Sequence, residues 1–137
     1  MILLDTQVLV WLFMDDPRLG KKSERLIERS RARGEACISA ITPWELSMLV
    51  DKGRLDLGRD TLAWISAAMA APGVRLMPIT PEIAVAAGRL PRGIHGDPAD
   101  RLIVATAREL SCPLLTSDRR IIDYAGQGHL QAIDAHR

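Results

Sequence analysis

Met1-Ile2-Leu3-Leu4-Asp5-Thr6-Gln7-Val8-Leu9-Val10-Trp11-Leu12 is the stretch on which the fold turns. Ile2-Leu3-Leu4 is an apolar run too short for a helix, and Asp5 closes it. Val8, Leu9, Trp11 and Leu12 then recur at helical spacing, up to a stop at Asp15-Asp16-Pro17. The same order repeats along the chain. Ala36-Cys37-Ile38-Ser39-Ala40-Ile41 reads as a second strand, followed by a helix from Thr42-Pro43-Trp44-Glu45 to Gly53. Val74-Arg75-Leu76-Met77-Pro78-Ile79 is a third, leading into a short helix that ends near Gly88. Pro113-Leu114-Leu115-Thr116 is a fourth, closed by Ser117-Asp118, and 130–133 fits a short fifth. Helical patterns fill 23–33, 61–71 and, most strongly, 97–110. Strands alternating with helices imply right-handed crossovers and a central parallel sheet covered on both faces. No repeat, linker or low-complexity stretch interrupts the pattern, so residues 1–137 read as a single α/β domain.

Composition agrees. The hydrophobic fraction is 47% and the charged fraction 26%, which excludes a disordered chain. No apolar run approaches the ~18 residues of a membrane span, and no basic n-region precedes Asp5. Cys37 and Cys112 lack CxxC spacing and read as buried free thiols of a cytoplasmic protein. Net charge is +1, from 18 Lys+Arg against 17 Asp+Glu, so binding to nucleic acid by bulk charge alone is excluded, though a localised site is not.

Three acids follow strands: Asp5 after the first, Glu45 after the second and Asp118 after the fourth. In a parallel sheet all carboxyl ends lie along one edge, where ligands bind. With neighbouring strands ~4.8 Å apart, three acids on central strands fall within roughly 10 Å of one another. Asp100 opens the helix before the fourth strand, and that helix is expected to begin at the opposite edge, so spacing gathers only three. Each acid also has a local reading. Thr42-Pro43-Trp44-Glu45 has the form of a capping box with Thr42 as cap, and Asp97-Pro98-Ala99-Asp100 has Asp97 as cap. Asp5 and Asp118 suit the start of turns. The joint pattern asks for more, because crowded carboxylates repel unless a cation or proton relieves them. Hard oxygen donors favour Mg2+ or Mn2+, and a carboxylate-held Mg2+ keeps positions open for phosphate oxygens. Metal-assisted phosphodiester hydrolysis is the reaction class that follows.

Four motifs in order resemble the PIN-domain ribonucleases: Leu3-Leu4-Asp5-Thr6, Trp44-Glu45-Leu46, Asp97-Pro98-Ala99-Asp100-Arg101-Leu102-Ile103, and Leu114-Leu115-Thr116-Ser117-Asp118. The likeness is to the VapC-type toxins of bacterial toxin–antitoxin pairs and spans nearly the whole chain. It implies a three-layer α/β/α domain and a Mg2+- or Mn2+-dependent endoribonuclease. By the same resemblance Asp5, Glu45, Asp100 and Asp118 form the acidic quartet, with Asp5 and Asp100 the principal metal ligands. Thr6, Thr116 and Asp97 support it, and the family topology brings Asp100 to the site. The resemblance further implies an RNA substrate, a cognate antitoxin, and a homodimer that can build a heterotetramer or larger assembly with it. Gln7 and Ala99 depart from the family pattern, where His and Phe are common; neither position is acidic.

Arg101 and Arg119, beside Asp100 and Asp118, are candidate phosphate contacts, and Arg120 shares that reading. His95 precedes Asp97 in a Gly/Pro loop, a position from which it could face the substrate, though a solvated residue is the favoured reading. Trp11, Trp44 and Trp64 read as core or interface packing rather than base-stacking platforms. The competing classes are a catalytically inactive PIN-like scaffold, a receiver-like module and a dehalogenase-like phosphatase. A receiver needs an acceptor Asp after the third strand and a late Lys; here Ile79-Thr80-Pro81 ends that strand and no Lys follows Lys52. The phosphatase needs an Asp where Gln7 stands.

Overall fold

The computed structural model describes all residues, Met1–Arg137. Its elements are β1 (Ile2–Leu4), α1 (Thr6–Phe13), α2 (Lys21–Ala32), β2 (Ala36–Ser39), α3 (Thr42–Asp51), α4 (Thr61–Ala70), β3 (Val74–Met77), α5 (Pro81–Gly88), α6 (Pro98–Leu110), β4 (Leu114–Thr116), α7 (Arg119–Gly126) and β5 (Ala132–Asp134). The strands form one sheet of order β3-β2-β1-β4-β5, with every pair parallel. β1 is therefore central, flanked by β2 and β4, the arrangement needed to bring the acids after those strands together.

Side-chain alternation along the central strands builds two cores. Ile2, Leu4, Ile38 and Leu115 face one side, where they meet Val8, Leu9 and Trp11 of α1, Ile27 of α2, Leu46 of α3 and Trp64 of α4. Leu3, Cys37 and Leu114 face the other, against Ile103 and Val104 of α6 and Ile121 and Tyr124 of α7. Three layers result because successive strand residues point to opposite faces. Leu3, Leu4, Leu114 and Leu115 are fully buried, and each such burial contributes roughly 1.5–3 kcal/mol. Cys37 and Cys112 are free and buried.

Several expectations change. The helix α7 was not anticipated, because Arg119 and Arg120 mask an amphipathic turn whose inward residues are only Ile121 and Tyr124. β3 lies at the sheet edge and is half exposed, with Leu76 51% accessible, so it is not a doubly covered strand. Trp44 is 53% exposed and packs into neither core, whereas Trp11 and Trp64 are buried. α6 begins at the carboxyl edge rather than the opposite one. Its last residue, Leu110, lies just before β4, which runs from Leu114 toward that edge, so α6 must run antiparallel to β4 and start where β4 ends.

Candidate active site

Each acid reaches the carboxyl edge by a local device. Asp5 is the N-cap of α1, and its Oδ1 accepts from Thr6 N at 2.8 Å. Thr116, the last residue of β4, donates its hydroxyl to Asp5 Oδ2 at 2.6 Å. Thr116 Oγ1 in turn accepts from Asp118 N at 3.0 Å, so one buried threonine fixes both acids. Asp118 caps α7. Asp97 caps α6 by accepting from Asp100 N at 3.0 Å, as its sequence suggests.

Glu45 arrives differently. α3 starts one residue earlier than a Thr42 cap requires: Ile41 is the N-cap and makes no side-chain cap bond. Thr42 is fully buried and turns its hydroxyl to Thr6 Oγ1 at 3.1 Å instead. Freed from the capping box, Glu45 lines a cavity with Asp5, Thr6, Asp97, Asp100 and Asp118. Ligand atoms of Glu45, Asp97 and Asp100 all lie within 4.8 Å of one another, as do those of His95, Asp100 and Asp118.

His95 is not a solvated loop residue. Its Nε2 lies 2.6 Å from Asp100 Oδ2, and its side chain is only 18% exposed. The signal was absent because a loop's path is not written in hydrophobic periodicity. Of the three arginines that the sequence offers as phosphate contacts, Arg120 is the one that lines the cavity, carried there by α7. Its Nη2 lies 3.1 Å from Asp118 Oδ2 and 3.7 Å from Asp100 Oδ2. Arg101 and Arg119 do not line this cavity. Arg101 donates to Ala87 O at 3.1 Å, tying α6 to α5, and Arg119 sits 3.8 Å from Asp134.

Crowding shows in the acidities. Burial pushes Asp5 from 3.8 to about 6, against the Thr116 hydrogen bond and with the charges of Asp100 and Asp118. Burial also pushes Glu45 from 4.5 to about 7; a bond from Thr6 opposes this, and Asp5 and Asp100 add to it. Asp100 is raised by burial, with His95 opposing. Asp118 alone falls below its ordinary value: burial raises it, but the side-chain and backbone bonds from Arg120 together outweigh that. Asp5 and Asp100, 6% and 8% exposed, are not surface acids that water alone can relieve. The donor set is carboxylate oxygen with one imidazole nitrogen, which fits a hard divalent ion such as Mg2+ or Mn2+.

Residues 2–127 match the PIN domain family. Ribonuclease VapC22 of Mycobacterium tuberculosis is 38% identical over 120 residues, covering 88% of each chain. Among solved structures, VapBC2 from Rickettsia felis, bound to a DNA fragment from its promoter, aligns with TM-score 0.70 at 18% identity over 98% of both chains. FitAcB from Neisseria gonorrhoeae aligns with TM-score 0.66 at 21% identity, again over 98% of both. A similar three-layer fold thus recurs at low identity, while the family match and the closer sequence likeness are specific. This chain belongs to the PIN-domain family, as a protein of the VapC type.

Proposed function

We propose that the protein is a divalent-ion-dependent endoribonuclease and the toxin of a toxin–antitoxin pair, acting in the cytoplasm. The observation that carries this is the convergence of Asp5, Glu45, Asp100 and Asp118, from four separate stretches, on one cavity. The relative named ribonuclease supports it, as does the occurrence of the same fold in a solved toxin–antitoxin complex from Klebsiella pneumoniae. The partners that follow are RNA as substrate, a cognate antitoxin, and a second copy of the chain.

Asp5 and Asp100 are the principal ligands of Mg2+ or Mn2+ in this reading, and Glu45 and Asp118 complete the site. When bound, the ion supplies positive charge to the developing phosphoryl oxygens and lowers the pKa of attacking water. The chain's own part is orientation. Thr116 and the Thr6 amide lock both oxygens of Asp5. His95 holds Asp100 by its Oδ2, and Asp97 fixes the helix turn that presents Asp100. Such fixed partners keep ligand geometry set before the substrate arrives. Thr6 favours the ionised form of Glu45. Phosphate contact falls to Arg120, which lines the cavity, rather than to Arg101 or Arg119.

The test is cleavage of total RNA by purified protein with Mg2+, with EDTA, and with Asp100→Asn. Discrete fragments should form only with wild type and ion. The same fragments from Asp100→Asn, or in EDTA, would remove the assignment. A catalytically inactive scaffold would bind no ion at this site, so calorimetric titration of the wild type separates that reading.

A further inference from the structure

We infer that Arg120 is the resident counter-cation of the acidic cavity, displaced when a divalent ion enters and thereby freed to bind an RNA phosphate. The inference rests on the nuclease reading above. Arg120 is the one basic residue lining the cavity. Its Nε lies 3.3 Å from Asp118 Oδ1 and its Nη2 3.1 Å from Asp118 Oδ2, a two-pronged grip. The same Nη2 is 3.7 Å from Asp100 Oδ2, the oxygen that His95 also holds. These carboxylates belong to the group whose ligand atoms lie within 4.8 Å of one another. A guanidinium and a divalent ion therefore compete for the same lone pairs.

The competition is weighted toward the ion. Arg120 is 63% exposed, and an exposed ion pair is weak because water screens it. Several carboxylates closing on a divalent ion gain more, so the guanidinium leaves. It has somewhere to go: Arg120 also borders a neighbouring groove lined by Gly93, His95, Asp123, Tyr124 and Gln127. A phosphodiester drawn to the ion restores negative charge beside the displaced head, and a planar guanidinium grips phosphate with two parallel bonds. Arg119 is a built-in control. It carries the same charge one residue away, pairs only with Asp134 at 3.8 Å, and does not line the cavity.

The test is calorimetric titration of Mn2+ into wild type, Arg120→Met and Arg119→Met, with initial rates on a short single-stranded RNA at saturating Mn2+. Arg120→Met should bind Mn2+ about two- to fivefold tighter, the range set by a weak exposed pair. It should also raise KM for RNA several-fold. Arg119→Met should match wild type in Mn2+ affinity. A merely structural loss would weaken ion binding, so the sign of the change is diagnostic. Unchanged or weaker Mn2+ binding by Arg120→Met overturns the inference, as does equal tightening by Arg119→Met. Tighter Mn2+ binding with an unchanged KM overturns the phosphate half. No Mn2+ binding by the wild type removes the nuclease reading itself.

Discussion

Asp5→Asn should make the ion-free protein more stable while destroying its ion site. Asp5 is buried, 6% exposed, and its pKa rises from 3.8 to about 6 on folding. At ~1.36 kcal/mol per unit, ionising it inside the fold costs about 3 kcal/mol. The sign follows from proton binding. Between about pH 4 and 6 the folded state holds this proton more tightly than the unfolded chain, so stability falls as pH rises through that window. Above it the full cost persists. Asparagine never ionises and escapes the loss. Its amide oxygen can still accept from Thr6 N, now 2.8 Å from Asp5 Oδ1. Its NH2 would donate to Thr116 Oγ1, reversing the present 2.6 Å bond. That hydroxyl already accepts from Asp118 N and has a second acceptor site, so the arrangement closes. The hydroxyl proton loses its carboxylate, at a cost of about 1 kcal/mol. A net gain of about 2 kcal/mol remains at pH ~8. Urea denaturation in EDTA measures it: Asp5→Asn should unfold at higher urea than wild type at pH ~8, and not at pH ~4, where Asp5 is protonated in the fold. Ion at one hundred times its Kd should stabilise wild type alone, by about 2.7 kcal/mol. An Asp5→Asn protein no more stable than wild type at pH ~8 would refute the claim that Asp5 is strained by burial among like charges.

Thr116→Val deletes the hydroxyl shared by Asp5 and Asp118 while keeping its shape; Mn2+ affinity should drop about tenfold, the worth of one charge-assisted hydrogen bond, and an unchanged calorimetric Kd would contradict this. Ion affinity should rise between about pH 6 and 8 as Glu45, with its pKa pushed up to about 7, ionises; a Kd flat over that range would show that Glu45 is not a ligand. His95→Ala should loosen Asp100 and weaken ion binding without unfolding the chain, which circular dichroism alongside calorimetry resolves. Gly20→Ala would drive a Cβ into the Arg137 backbone, disturbing the Gly20 N to Ala135 O and Ser23 N to Arg137 O bonds of 2.9 Å; a loss of about 1–3 kcal/mol in urea denaturation is expected, and an unshifted midpoint would refute the close approach.

The sequence carried the central sheet well. Ile2-Leu3-Leu4, the run from Ala36 and Leu114-Leu115-Thr116 are short apolar stretches, each followed by an acid near its end, and that combination marks a buried strand meeting a functional edge. Asp5, Glu45 and Asp118 come together because β2, β1 and β4 are neighbours. Asp100 was legible only through family likeness. Strand spacing alone puts the start of its helix at the opposite edge, whereas a helix leading into a parallel strand runs antiparallel to it and starts at the carboxyl edge. The contact His95 makes depends on the path of the loop before α6. Arg120 was a candidate beside Arg101 and Arg119, and only α7, masked by two charged residues, sets it apart. Thr42 shows the limit of motif reading: it has the spacing of a cap, yet burial against Thr6 claims its hydroxyl.

Anomalous diffraction from crystals grown with Mn2+ decides whether four acids from distant stretches hold a divalent ion. A peak is expected between Asp5 and Asp100, bordered by Glu45 and Asp118, and it should vanish in Asp100→Asn. Manganese bound elsewhere on the surface, with this cavity holding only water, would contradict it.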